Sequence, residues 1–302
     1  MKKIFGVKKL LSCCLLASGI FMGNQPVIQA AENHDTLNFV NFRDIRDLNP
    51  HLYAGEMYAQ EMLFETLIDI TADGYKPCLA EKWDISPDGK VYTFTIRKGV
   101  KFSDGEPCDA HAIKANFDAI IENQKRHSWL EMMRLLQKVE APDAQTFRIV
   151  MSEPYYPMLT ELGVTRPFAM ISPKAMKNGS TKDGVAAYIG TGPWVLKQSV
   201  TDEYAIFERN ENYWGEKSKL KRIIVKVIPD NQTRIMALEK GEIDLIWGKN
   251  MLDADALNKY RSSKKFDIKF SEKVGRLSPT QFELRTILQD KFRDDSTRDK
   301  AI

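Results

Sequence analysis

Residues 86–117 read SPDGKVYTFTIRKGVKFSDGEPCDAHAIKANF and contain three consecutive structural signals. The Pro-Asp-Gly triplet at 87–89 predicts a tight turn, because proline presets φ and glycine accepts a positive φ. Large apolar side chains then alternate from Tyr92 to Ile96, which predicts a half-buried strand over 91–97. The stretch therefore begins as a turn followed by a strand.

The second half of the same stretch predicts a helix. Residues 100–102 read as a second short strand, and Ser-Asp-Gly at 103–105 reads as another turn. Asp109 is placed to cap a helix, because its carboxylate can accept hydrogen bonds from the first backbone amides. The apolar stripe of that helix comprises Ile113, Phe117, Ile120 and Ile121. The unit is thus predicted to be hairpin-like strands that lead into a helix.

Other strands and helices follow from similar patterns. Predicted strands cover 37–42, 146–151, 194–198, 204–209, 223–228 and 242–247. Predicted helices cover 57–67 and 154–162, a helix capped by Asp230, and a short helix capped by Ser128 that carries Trp129, Met132, Met133 and Leu136. Because a strand, a helix and a strand follow one another at the end, we expect a crossover connection and a partly parallel sheet.

The run at 88–105, DGKVYTFTIRKGVKFSDG, resembles the family motif of extracytoplasmic solute-binding proteins of ABC importers for peptides, nickel and related cargo. Further likeness lies at 79–83, 189–194, 209–215 and 241–244. Within that family the chain is similar to the nickel-binding branch. That similarity rests on LNPHLY at 48–53, RHSWLE at 126–131 and RPF at 166–168.

The resemblance implies an α/β, periplasmic-binding-protein-like (type II) two-lobed architecture. We expect residues 31–278 to form the first lobe, with a mixed sheet and an inserted strand-rich subdomain at about 76–165. Residues 279–302 would be a truncated, divergent start of the second lobe, which is otherwise absent. The likeness breaks at 281–289, where relatives carry an apolar strand, so the chain reads as a truncated binder.

The N-terminal segment predicts export. Residues 1–30 contain a lysine-rich start, an apolar run over 10–23 and small residues at a cleavage site after Ala30. Without its four lysines, the formal net charge of +3 falls to −1, which argues against nucleic acid as a partner. We expect a periplasmic protein. A cell-surface lipoprotein attached through Cys13 is the alternative.

Catalytic and metal-ligand motifs are mostly missing, so we expect no enzyme, no resident metal and no cofactor. Two S-x-x-K matches, at 218–221 and 262–265, leave a secreted serine hydrolase as an alternative. The four histidines (His34, His51, His111 and His127) lack metal-ligand spacing and are expected at the surface or in hydrogen bonds. Cys78 and Cys108 remain after export; burial as small apolar side chains is favoured over a disulfide.

The resemblance also implies a binding site. In the nickel-binding branch the cargo is a metal wrapped by a small carboxylate-bearing chelator, held by an arginine and a cage of aromatic rings. Arg166 matches the arginine, Tyr53 and Trp129 match cage aromatics, and Met57 matches a methionine near the metal. From the residues alone, core packing stays open for Trp129 and Met57, and a surface ion pair stays open for Arg166.

These observations lead to one expected function and several alternatives. We expect the chain to bind a nickel–chelator or metallophore complex and to deliver it, as a monomer, to the membrane permease subunits of an ABC importer. Capture of di- or oligopeptides is the alternative within the family. The hydrolase and an inert fragment are the alternatives outside it.

Overall fold

The computed structural model describes residues 35–71, 73–248, 251–261 and 266. Its strands are β1 (Thr36–Asn41), β2 (Ile68–Thr71), β3 (Gly74–Pro77), β4 (Ala80–Ile85), β5 (Val91–Ile96), β6 (Leu136–Asp143), β7 (Thr146–Met151), β8 (Met176–Lys177), β9 (Ser180–Val185), β10 (Trp194–Val200), β11 (Tyr204–Arg209), β12 (Arg222–Val227) and β13 (Leu245–Ile246). Its helices are α1 (Met57–Leu63), α2 (Ala110–Glu122), α3 (Glu131–Leu135), α4 (Met158–Leu162), α5 (Thr165–Phe168), α6 (Asn231–Glu239) and α7 (Ala254–Arg261). Short 3-10 turns cover Gln124–His127 and Pro173–Ala175.

A four-stranded antiparallel sheet is built around the stretch that opened the sequence. Its order is β4-β5-β7-β6, so β5 and β7 are central. Tyr92, Phe94 and Ile96 of β5 are buried, as the alternation predicted. The α2 helix packs against this sheet, and its Phe117 ring lies 4.9 Å from that of Phe147 in β7. The predicted cap is confirmed, since the Asp109 carboxylate accepts hydrogen bonds from the backbone amides of the first turn.

A five-stranded mixed sheet forms the other large layer, in the order β10-β11-β12-β1-β13. The β1 strand runs parallel to β12 on one side and to β13 on the other, while β10 and β11 are antiparallel. The chain passes from β12 through α6 to β13, which is the predicted crossover in a partly parallel sheet. Asp230 caps α6 by accepting from the Thr233 amide, also as predicted.

The strand predicted at 100–102 and the helix cap predicted at Ser128 are wrong, and the helix predicted over 57–67 ends at Leu63. Residues 100–102 form no strand: Lys101 makes a single isolated bridge to Pro107, and Phe102 packs in the core beside it. The β5 strand instead pairs with β4 and β7, which occupy both of its edges. Ser128 caps no helix, because it ends the 3-10 turn before it, and α3 begins only after an extended Leu130.

Cys78 and Cys108 are buried and form no disulfide with each other, which confirms that they pack as small apolar side chains. Burial raises the pKa of the Cys108 thiol, so it stays protonated at neutral pH. Within the described residues no helix is long and apolar enough to cross a membrane.

Several predictions lie outside the described residues. They are the export segment 1–30 with Cys13, residue His34, the S-x-x-K match at 262–265 and the divergent end at 279–302. The boundaries at about 76–165 and 31–278 stay predictions. The four-stranded sheet does lie between residues 80 and 151.

Candidate ligand-binding site

The loop between β1 and α1 is held in place by buried polar contacts. Asn49 and His51 are buried, and both bind Thr181 of β9. The Asn49 side-chain amide donates to the Thr181 carbonyl at 2.7 Å, and His51 Nδ1 lies 2.9 Å from the Thr181 hydroxyl. Buried polar groups that find such partners fix local geometry. The loop therefore presents Tyr53 from a rigid support.

Arg166 is attached to the same loop. Its Nε donates to Gln60 Oε1 at 2.5 Å and its Nη2 donates to the Gly55 carbonyl at 2.7 Å. Gln60 in turn donates to the Asn49 carbonyl at 3.0 Å, so the amide oxygen must face the arginine. Gly55 is required at this point, because its φ is +77° and an added Cβ would lie 2.1 Å from the Asp47 carbonyl oxygen.

The Arg166 guanidinium is half-buried and charged. Burial lowers its pKa, and the nearby carboxylates of Glu56 and Glu61 raise it in compensation. Both of its hydrogen-bond acceptors are neutral, so the surface ion pair that the sequence left open is not what holds it. Within the described part of the chain Nη1 donates no hydrogen bond. The end of the guanidinium can therefore fork onto a carboxylate from outside.

The aromatic rings form a second group beside the arginine. Trp129 Nε1 donates to the Tyr53 hydroxyl at 2.8 Å, and the same hydroxyl lies 2.8 Å from His127 Nδ1. The Tyr53 and Trp129 ring centroids are 5.8 Å apart in an edge-on arrangement. Burial raises the pKa of Tyr53, while the hydrogen bond from Trp129 and the charges of Arg126 and Arg166 lower it. We call Tyr53, Trp129 and Arg166 the ligand wall.

The prediction that Trp129 lies on an amphipathic helix is wrong, and so is its core-packing alternative. The side chain is 61% exposed and lies in the loop before α3, because the extended Leu130 separates it from that helix. Met57, by contrast, begins α1 and is half-buried. The structure thus brings all four predicted site residues to one region, and their role in binding stays a prediction.

Three residues of this region were missed from the sequence. Gln60 orients Arg166, His127 contacts Tyr53, and the Arg126 guanidinium lies 6.0 Å from the Tyr53 ring centroid. Arg126 and His127 lie inside the RHSWLE run at 126–131, so that motif was the available signal for them. Gln60 carried none, because its partners are distant in sequence.

The hydrolase alternative finds little support at 218–221. The Ser218 hydroxyl accepts from the Leu220 amide at 3.1 Å, as in a local turn. Lys221 pairs with Asp35 at 3.0 Å and points to solvent. A serine nucleophile needs a base within hydrogen-bond reach. Among the described residues, no cluster of three His, Cys, Asp or Glu side chains could hold a metal.

Comparison with known proteins decides the family. Residues 74–299 match the family described as bacterial extracellular solute-binding proteins, family 5 Middle. The chain belongs to this family. It therefore has the α/β fold of type II periplasmic binding proteins, as expected, and its family is one of solute-binding proteins rather than of enzymes.

The family members most similar to this chain include a nickel-binding one. The nickel-binding periplasmic protein of Escherichia coli (strain K12) is 44% identical over 234 residues, which cover 76% of this chain and 45% of the relative. NikA from Brucella suis, solved in complex with Fe(III)-EDTA, is also 44% identical, with a TM-score of 0.77 over 78% of this chain and 48% of that one.

A peptide-binding member is similar at lower identity. DppA from Helicobacter pylori, solved in complex with the peptide STSA, is 28% identical, with a TM-score of 0.66 over 76% of this chain and 49% of that one. The chain spans about half the length of the relatives it matches.

Proposed function

We propose that this family 5 chain captures a metal ion, nickel in the first place, wrapped by a small carboxylate-bearing chelator, and hands it to the permease of an ABC importer. The proposal places the protein outside the cytoplasm, in the periplasm, with lipid attachment through Cys13 as the alternative. It treats the metal as cargo. We expect a monomer without a resident cofactor.

The ligand wall is the observation that carries this proposal. A half-buried guanidinium with a free end binds the Gly55 carbonyl, two residues along the loop from Tyr53, and Tyr53 binds an indole that is 61% exposed. The guanidinium suits a chelator carboxylate, because two parallel charge-assisted hydrogen bonds can form. Flat aromatic faces accept a compact chelate by packing, without one fixed set of polar partners. Identity of 44% to a nickel-binding relative supports the same cargo class.

Capture of a short peptide is the second candidate. The Helicobacter pylori relative was solved with a peptide, and a peptide ends in a carboxylate that Arg166 could also bind. A peptide needs backbone partners along its length, whereas a compact chelate needs only the arginine and the rings. The two candidates therefore predict different ligands at the ligand wall: a nickel–chelator complex in the first case and a peptide in the second.

The test is a titration of the isotopically labelled chain with nickel–histidine, followed by NMR. Because Ni²⁺ broadens nearby signals, we expect selective loss of the Trp129 indole signal, assigned with Trp129→Phe, while Trp83, Trp194 and Trp214 stay sharp. Contacts open to solvent are worth little, so we expect affinity on the order of millimolar in this chain. Nickel chloride alone and a dipeptide are run as separate titrations.

Two arginine variants make the test specific. Arg166→Ala should abolish the broadening, and Arg166→Lys should not restore it, because an ammonium group cannot fork onto a carboxylate. Arg148→Ala is the matched control, since that arginine is exposed on β7, away from the ligand wall. Equal effects of the two alanine variants would contradict the proposal. If the Trp129 signal responds to the dipeptide but not to nickel–histidine, peptide capture would replace nickel–chelator capture as the proposed function.

A further inference from the structure

Two neighbouring side chains in the loop before α3 have opposite environments. His127 ends the 3-10 turn and is fully buried, whereas Trp129, two residues later, is 61% exposed. The turn is closed by a hydrogen bond from the Leu130 amide to the His127 carbonyl at 2.9 Å. The backbone therefore holds the imidazole inside the protein and leaves the indole outside.

Tyr53 joins these two side chains, and the directions of its hydrogen bonds can be assigned. An indole N–H only donates, so the Tyr53 hydroxyl oxygen accepts from Trp129 Nε1. The hydroxyl hydrogen then has one acceptor in the described part of the chain, which is His127 Nδ1 at 2.8 Å. Nδ1 can accept only when the imidazole is neutral. Burial, with the charge of Arg126, lowers the pKa of His127 to about 4, which keeps it neutral at pH 7.

His127 is thus shielded from solvent, yet its Nδ1 is hydrogen-bonded to Tyr53 of the ligand wall. Its other nitrogen, Nε2, is buried and has no hydrogen-bond partner among the described residues. A buried polar atom left without a partner is costly and calls for an explanation. In this tautomer Nε2 carries the proton, and Nδ1 is the ring nitrogen that accepts from the Tyr53 hydroxyl.

We propose that His127 is a positioning residue for the cargo: through the Tyr53 hydroxyl it fixes the orientation of the exposed Trp129 indole, so that the ring face is preset for packing against the chelator. The orienting role stands on the geometry alone, whereas its consequence for cargo rests on the proposed function. An exposed side chain otherwise samples several rotamers and must be ordered when the ligand binds. Presetting the ring removes that cost.

The first measurement needs no ligand. The heteronuclear NOE of the Trp129 indole N–H reports its motion on the picosecond to nanosecond timescale. We expect a rigid value in the parent chain and a clear fall in both His127→Leu and Tyr53→Phe. His127→Asn should keep part of the rigidity, because the amide oxygen can replace Nδ1 as acceptor. His111→Leu is the matched control, since that histidine is exposed on α2.

The second measurement adds the cargo probe. In nickel–histidine titrations, His127→Leu and Tyr53→Phe should each weaken the response of Trp129 by roughly three- to tenfold, as for one lost hydrogen bond. The double variant should be no weaker than either single one, because both break the same chain of contacts. A purely structural role for His127 predicts additive losses instead.

The outcomes separate this proposal from the proposed function. An unchanged indole NOE in Tyr53→Phe, which leaves no cavity, overturns the positioning role even if His127→Leu fails to fold. A fall in the NOE together with no response of the parent chain to nickel–histidine supports the positioning role and contradicts the cargo. Additive losses of affinity in the double variant also overturn the positioning role.

Discussion

Two regions of this chain are stabilised in different ways. The sheet region, β4 to β7 with α2, has an apolar interior that contains Phe94, Phe117, Phe147 and Ile149. The binding region, which comprises residues 42–60, 124–130 and 165–168, contains fully or almost fully buried polar side chains. These are Asn49, His51, Gln60 and His127.

The difference has physical consequences for each region. Apolar burial involves no titratable group, so the stability of the sheet region should depend little on pH. Its close packing makes it sensitive to cavities. Hydrogen bonds are directional, so they can hold an arginine and an indole at set angles. The same polar groups respond to protonation and to small backbone shifts. The binding region therefore has a defined geometry, but its stability is more sensitive to pH and to backbone changes.

The largest expected effect comes from breaking the sheet region. Phe147→Ala removes a fully buried ring that contacts Phe94 and Phe117, and should lower the free energy of unfolding by about 3–5 kcal/mol. Urea unfolding measures this. Phe42→Ala is the control, because that ring is 43% exposed and should cost far less. In the folded fraction the Trp129 signals should stay unchanged, and a shift there would show that the two regions are coupled.

A backbone change should break the binding region. Gly55→Ala forces a Cβ to within 2.1 Å of the Asp47 carbonyl oxygen at a φ of +77°, and should cost about 2–4 kcal/mol from strain and overpacking together. Gly99→Ala is a matched control, because its φ is +76° and nothing lies within 4 Å of the added Cβ.

The control should lose only about 1 kcal/mol in urea unfolding. Gly55→Ala should in addition shift the Arg166 Nε signal, because the Gly55 carbonyl binds that guanidinium. Equal stability losses for the two alanine variants would mean that the loop relaxes around the new methyl group.

Acidification should weaken the binding region more gradually. Burial lowers the pKa of His51 to about 3 and that of His127 to about 4, from 6.5 in an open environment. Between pH 6.5 and 4 the unfolded chain therefore binds more protons than the folded one. As the pH falls, the free energy of unfolding should fall by up to about 1.4 kcal/mol per pH unit for each histidine, with the steeper part below pH 6.

Urea unfolding at pH 7, 6 and 5 measures this slope, and most carboxylates titrate below that range. His127→Asn should reduce the slope by about one bound proton, because the amide side chain does not titrate. A free energy of unfolding that is the same at pH 7 and pH 5 would contradict the burial of two neutral histidines.

Local patterns determined much of the fold. The alternation at 91–97, the caps at Asp109 and Asp230 and the strand Thr146–Met151 were all readable, because each depends on residues within one turn or one strand. The family was readable for a related reason: its motifs are contiguous runs. Those runs also carried three of the four predicted site residues, Tyr53, Trp129 and Arg166, whereas Met57 lies outside them.

Only the tertiary structure decided how the binding region is built. Tyr53 meets His127 and Trp129 across 74 and 76 positions of sequence, and Arg166 meets Gln60 across 106. No pattern of residue spacing predicts contacts over such distances. The sequence therefore could not show that His127 is buried against Tyr53. The same limit misplaced Trp129, because helical spacing cannot show that an extended Leu130 separates it from α3. The sequence determines local helix and strand propensities. Long-range hydrogen bonds and burial then decide which of these local structures form in the folded protein.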